Sequence, residues 1–228
     1  MKHSLRVCWL YHDIMDLYGD KGNMMVLKKR CEDRDIDFVL DTCGIGEKKN
    51  LCDYNLIFLG GGDDKTQFSL IPDLLSRKEN IKQAMDENTF VLLICGGYQL
   101  FGQYYTASDN QKIDGLKFYD YYTDTGADRT RCVGNIIIEA NLDGIKTQIV
   151  GFENHGGQTF DISNSFGNVL FGNGNKFGDA EEGFFNNNVI ATYLHGPLLS
   201  KNPELCDYII KYCLDRKYNE NITLEEVA

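Results

Sequence analysis

Cys95-Gly96-Gly97-Tyr98-Gln99-Leu100 follows directly on the apolar run Thr89-Phe90-Val91-Leu92-Leu93-Ile94. A strand that ends on a cysteine, turns on two glycines and opens a helix has the layout of a nucleophile elbow. The helix behind such a turn points its free N–H groups and positive dipole end at the sulfur, which favours the reactive thiolate. A cysteine at a strand end is, by itself, more often a small buried apolar side chain. Here the paired glycines and Gln99 single out Cys95 as the nucleophile.

A thiol nucleophile needs a base that reaches it from a neighbouring strand end. His195 meets that requirement, because it follows the apolar run from Val189 to Leu194 and Gly196-Pro197 then turns the chain away. His3 lies near the start and His12 follows the first strand. His155, in Gly151-Phe152-Glu153-Asn154-His155-Gly156-Gly157, is the rival, and we read it as a turn histidine. Acyl transfer also needs preorganised N–H donors for an oxyanion. Gly96 and the Gly60-Gly61-Gly62 loop are placed to supply them, with Gly61 and Gly62 as the loop's donors. The triple glycine lacks the spacing of a P-loop or a dinucleotide fingerprint, so a phosphate cradle ranks below the oxyanion role.

These residues need a scaffold. Leu5 to Tyr11, Ile36 to Leu40, Asn55 to Leu59 and Phe90 to Ile94 read as strands. Helical pattern separates them at about 22–34 and about 65–87, the latter expected to break at Pro72, with Asp63 and Asp64 as N-caps. Strands alternating with helices predict an α/β fold with a mostly parallel central sheet flanked by helices, and functional loops at the carboxyl ends of strands. Beyond Phe101 the texture changes to short strands and turns, so added antiparallel strands are expected in the second half, before a closing helix at about 203–216. We read residues 1–228 as one domain, with 219–228 as a loosely ordered tail.

Composition excludes several classes. With 228 residues, 43% hydrophobic and 25% charged, the chain is an ordinary globular domain. A net charge of -11 repels nucleic acid and anionic lipid. No apolar run is long enough to span a membrane, and no secretory leader pattern opens the sequence, so a cytoplasmic location is expected. The eight cysteines include no C-x-x-C pair, so most read as buried apolar residues in a reducing compartment and no metal site is expected.

The ordered set of motifs resembles the class I, triad-type glutamine amidotransferases, flavodoxin-like in fold, and in particular their cobyric-acid-synthase-like branch. The matching segments are Tyr18-Gly19-Asp20-Lys21-Gly22-Asn23, Gly60-Gly61-Gly62-Asp63-Asp64, Cys95-Gly96-Gly97-Tyr98-Gln99-Leu100, Arg131-Cys132-Val133-Gly134-Asn135, Gly151 to Gly157, and Tyr193-Leu194-His195-Gly196-Pro197-Leu198. Within the branch they look most like the glutaminase subunits of lipid II isoglutaminyl synthases. The resemblance implies that Cys95 and His195 hydrolyse L-glutamine, that Arg131, near Arg129, holds its α-carboxylate, and that Gln99 shapes the pocket. It implies a heterodimer with a MurT-like, Mur-ligase-like subunit, which receives the ammonia and amidates the D-glutamate α-carboxyl of lipid II. No cofactor is expected in this chain, since it shows no nucleotide motif, and ATP and magnesium belong to the partner.

One departure stands out. Many class I members carry His-x-Glu, in which the acid orients the imidazole, but here the sequence is His195-Gly196-Pro197. The third group is then another carboxylate such as Glu153, one from a partner, or absent, and without it the lone subunit is expected to be slow. Two other readings stay open: a cysteine hydrolase for another amide, and a non-catalytic binding module of the same fold. A glutaminase serving another member of the branch is the nearest alternative.

Overall fold

The computed structural model describes residues 2–125 and 130–227; Arg129 lies outside them. The first half builds a parallel core: β1 (Ser4–Leu10), α1 (Lys21–Glu32), β2 (Asp37–Cys43), β3 (Leu56–Leu59), α2 (Asp64–Ser76), α3 (Lys78–Asp86), β4 (Phe90–Ile94) and α4 (Gly96–Phe101). The second half adds β5 (Tyr104–Thr106), β6 (Lys112–Asp114), β7 (Tyr122–Asp124), β8 (Cys132–Leu142), β9 (Ile145–His155), β10 (Gln158–Phe160) and β11 (Gly167–Phe171). It closes with β12 (Glu181–Glu182), β13 (Phe184–Asn186), β14 (Val189–Thr192), α5 (Leu198–Lys201) and α6 (Pro203–Tyr218).

The central sheet has the order β13-β14-β4-β3-β1-β2, and only the β13–β14 pair is antiparallel. The mostly parallel α/β architecture read from the sequence is therefore present. β4, flanked by β3 and β14, is buried along its whole length, which explains its unbroken apolar run. Its C-terminal end faces the ends of β3 and β14, so the Gly60 loop, Cys95 and His195 emerge side by side.

The second-half strands form two further four-stranded sheets, β10-β7-β5-β6 and β12-β11-β8-β9. Their longest pairing is the antiparallel hairpin β8–β9, which runs from Leu142↔Ile145 to Cys132↔His155. Asp143 and Gly144 make its two-residue turn, both at positive φ (51° and 89°).

Two local expectations shift. Pro72 lies within α2, and the helix breaks at Arg77. Pro72 is exposed, so the carbonyl it leaves without a partner can turn to water. Arg77 instead turns inward, donating to Asp73, to Gly44 O at 2.9 Å and to Cys43 Sγ at 3.1 Å. The segment 219–227, expected loose from its polar composition, lays Ile222 and Leu224 on the core, and Arg34 Nε donates to Glu225 O at 2.7 Å. All eight cysteines are free thiols.

Candidate active site

Cys95 sits at φ 50°, ψ −100°, a conformation that non-glycine residues rarely hold and that costs about 1–3 kcal/mol. The neighbours impose it. The Cys95 N–H donates to Thr192 O at 2.8 Å, and the Gly97 N–H donates to Gly60 O at 3.2 Å. Gly97 has to be glycine, since a Cβ there would lie 2.6 Å from Leu59 O. The elbow is thus clamped between both neighbouring strand ends.

His195 follows β14 and is tied to β9 by a two-bond bridge, His195 N–H to Phe152 O at 2.8 Å and Phe152 N–H to His195 O at 3.0 Å. The antiparallel lobe therefore fixes where the base stands. Asp20, from the turn between β1 and α1, brings Oδ1 to 3.5 Å from His195 Nδ1, while its Oδ2 accepts the Gly61 N–H at 2.7 Å. Both side chains are almost fully buried, at 1% and 0% exposure. Gly61 stands at the centre of the group: a Cβ there would lie 3.1 Å from His195 Cε1, 3.4 Å from Asp20 Oδ2 and 3.5 Å from Cys95 Cβ.

Burial opposes charge on His195, but Asp20 and Cys95 outweigh it and push the imidazole up to about 10. The ring is an imidazolium at neutral pH.

A carboxylate that the sequence reading does not single out, Asp20, stands beside the imidazole. Asp20 lies in the motif Tyr18 to Asn23, whereas the sequence points for an orienting acid to the position two after His195 and to Glu153. Its place, between Gly19 and Gly22 in the loop after the first parallel strand, is one where functional groups collect, but nothing local pairs it with His195. Glu153 faces elsewhere. Its carboxylate accepts from Asn173 N at 2.9 Å, Asn173 Nδ2 at 2.7 Å and Gly174 N at 3.1 Å, and stands 4.0 Å from His155.

Gly61 requires a correction as well. Its N–H is taken by Asp20, so it is not free to hold an oxyanion. Gly62 and Gly96 remain, and neither N–H has an acceptor among the described residues. They stand close together, for a Cβ on Gly96 would lie 3.1 Å from Gly62 N. His155 has the role of a turn histidine: its ring stacks on Tyr193 at 3.7 Å and its Nδ1 lies 2.6 Å from Gly157 O. Burial, the main cause, lowers it to about 4, so it stays neutral.

A cleft of about 920 Å³ opens over the sulfur, lined among others by Cys95, Gln99, Gly62, Arg131, Asn154 and Gly157. Arg131 stands at its exposed rim, with Nη2 donating to Asn154 Oδ1 at 2.7 Å. Gln99 lies in the floor, where its Oε1 accepts from Gln67 Nε2 at 3.0 Å and its Nε2 donates to Tyr193 OH at 3.4 Å. Its amide is therefore bonded at both ends within the floor. No cluster of potential metal ligands occurs among the described residues.

A doubly wound sheet carrying a strained cysteine, a buried histidine and an aspartate at adjoining loops has the form of a triad-type glutamine amidotransferase. The chain belongs to the family of CobB/CobQ-like glutamine amidotransferase domains, whose pattern matches residues 6–203. It is 36% identical over 215 residues to the lipid II isoglutaminyl synthase (glutamine-hydrolyzing) subunit GatD of Staphylococcus aureus (strain N315), covering 94% of this chain and 86% of the relative. The GatD subunit of Streptococcus pneumoniae (strain ATCC BAA-255 / R6) is also 36% identical, over 97% of this chain and 85% of its own length. A probable cobyric acid synthase of Methanocaldococcus jannaschii is 31% identical over 61% of this chain, which spans only 29% of that relative. Among solved structures, a glutamine amidotransferase crystal structure shares the fold at TM-score 0.58 and 13% identity, covering 91% of this chain and 98% of its own.

Proposed function

We propose that this chain is the glutaminase subunit of a lipid II isoglutaminyl synthase, hydrolysing L-glutamine to L-glutamate and ammonia. The observation that carries the chemistry is the convergence of Cys95, His195 and Asp20 around Gly61. The likeness to the two GatD subunits across nearly the whole chain carries the choice of acceptor.

Glutamine enters the cleft with its α-carboxylate on Arg131, whose planar fork suits a carboxylate. The Cys95 thiolate attacks the side-chain amide carbon, and the N–H groups of Gly62 and Gly96 hold the negative oxygen. His195 gives its proton to the departing nitrogen, and ammonia leaves as the thioester forms. His195, now neutral, takes a proton from water, which attacks the thioester and releases glutamate. Asp20 keeps the ring oriented and stabilises its charged form throughout. In this reading Asp20 supplies the orienting acid from within the chain.

Ammonia released to water is protonated and lost as a nucleophile, so a synthetase must receive it directly. The partner fitting the GatD likeness is a MurT-like, ATP-dependent ligase, with ATP and magnesium bound there and lipid II as its amide acceptor. No described helix is long and apolar enough to cross a membrane, in keeping with a cytoplasmic heterodimer. The test is glutamate and ammonia release from L-glutamine, followed by glutamine-dependent amidation of lipid II with the ligase and ATP. Ammonia release that survives Cys95→Ala would overturn the nucleophile, and an active glutaminase with no lipid II amidation would move the acceptor elsewhere.

A further inference from the structure

Tyr18 is 46% exposed, yet it is held at both ends. Its backbone lies in the left-handed region, at φ 59° and ψ 24°, inside the turn Leu17–Gly19, where a bulky side chain is disfavoured. Its ring stands edge-on to His195, with centroids 5.0 Å apart and planes at 75°. Its hydroxyl accepts from Asn154 Nδ2 at 2.7 Å, and Oδ1 of the same amide accepts from Arg131 Nη2 at 2.7 Å. An unbroken string thus runs from Arg131 through Asn154 and Tyr18 to the imidazole, and its first three members line the cleft.

We propose that Asn154 and Tyr18 are positioning residues that set the amino-acid end of the substrate against the reacting pair, Asn154 by aiming the Arg131 fork and Tyr18 by locking the Asn154 amide. The inference rests on reading Arg131 as the anchor of the glutamine α-carboxylate. An amide side chain has one accepting and one donating end, and both are used here, so its orientation is fixed. With Nη2 held by Asn154, no other guanidinium donor has an acceptor among the described residues, which leaves them for a ligand. Gly156 keeps the space beside them clear, since a Cβ there would lie 3.1 Å from Arg131 Nη1. The aromatic ring of Tyr18 meanwhile packs on the catalytic imidazole, so the string ends on the base.

The string is expected to matter only for substrates that carry a carboxylate, which separates positioning from general support of the fold. Two reagents that alkylate Cys95 make the distinction: 6-diazo-5-oxo-L-norleucine, which has an α-amino acid end, and iodoacetamide, which has none. Tyr18→Phe keeps the ring and removes the hydroxyl, and Asn154→Ala removes the link. Each is expected to slow labelling by the glutamine analogue about tenfold, and to raise KM for glutamine more than it lowers kcat. Labelling by iodoacetamide should stay within about twofold of wild type. Equal loss with both reagents, or no loss with either, would overturn the proposal. Wild-type Cys95 that reacts with iodoacetamide but never with the glutamine analogue would instead refute the glutaminase reading.

Discussion

Pro197 packs directly against Gly22: a Cβ added at Gly22 would overlap the Pro197 ring and lie 2.9 Å from its Cβ. Pro197 stands where many relatives of the class carry the orienting acid, and it presses on the turn that delivers Asp20 instead. Here a carboxylate reaches the imidazole from another loop, against which the proline packs. Gly22→Ala should therefore destabilise the protein by about 1–3 kcal/mol and lower kcat, because the Asp20 turn is pushed away from His195. Pro197→Ala combined with it should restore part of both losses, as read by denaturant unfolding and glutamate release.

Asp20→Asn keeps an oxygen for the Gly61 N–H but offers the imidazole no negative charge. The kcat for glutamine should fall about 10²- to 10⁴-fold with KM little changed. An unchanged kcat would remove Asp20 from the site.

Arg131→Lys replaces a planar fork with a point charge at the rim of the cleft. KM for glutamine should rise about 10- to 100-fold while the iodoacetamide reactivity of Cys95 is kept. Steady-state kinetics together with alkylation rates check this.

The two buried histidines bias stability in opposite senses of pH. His195 is raised from 6.5 to about 10, burial opposing and Asp20 and Cys95 favouring the charge, so the folded state holds its proton more tightly. That contribution is complete below pH 6.5 and is lost as pH rises through about 10. His155 is lowered from 6.5 to about 4, so its contribution is present above pH 6.5 and is lost as pH falls toward 4. Urea midpoints across this range should show a fall at each end, and Asp20→Asn should flatten only the alkaline one.

Glu182 is buried beneath β14, where it accepts from Tyr193 N at 2.7 Å and from Thr192 Oγ1 at 2.9 Å. Burial raises it from 4.5 to about 8, so its stabilising share is present below pH 4.5 and is lost as pH rises through about 8. Glu182→Gln has no charge to bury. It should be more stable than wild type above pH 8, by the same unfolding measurement.

Much of the site could be read from the sequence because its parts are local. A strand ending on Cys95, the glycine loop after β3 and the histidine after β14 each announce themselves within a few residues. Asp20 does not. Its relation to His195 exists only once β1 and β14 lie in one sheet, and no spacing along the chain records it. Gly61 shares that difficulty, since a backbone N–H looks free until the carboxylate that takes it is placed. The β8–β9 hairpin was within reach, because Asp143-Gly144 is a strong two-residue turn signal. Pro72 lies inside α2 and not at its end, because tertiary packing overrides the local cost of a proline in a helix.

Asp20, Cys95 and His195 come from the front, the middle and the far end of the chain, and that order governs when the enzyme can first act. During synthesis the amino-terminal strands emerge and begin to fold before the rest has been made. A nascent chain that lacks β14 lacks the base, and it also lacks Thr192 O, which holds the Cys95 N–H in the elbow. The thiol gains its proton partner only when the last strand slots in beside β4. Glutamine hydrolysis thereby waits on the strand that carries the base, whatever has folded before it.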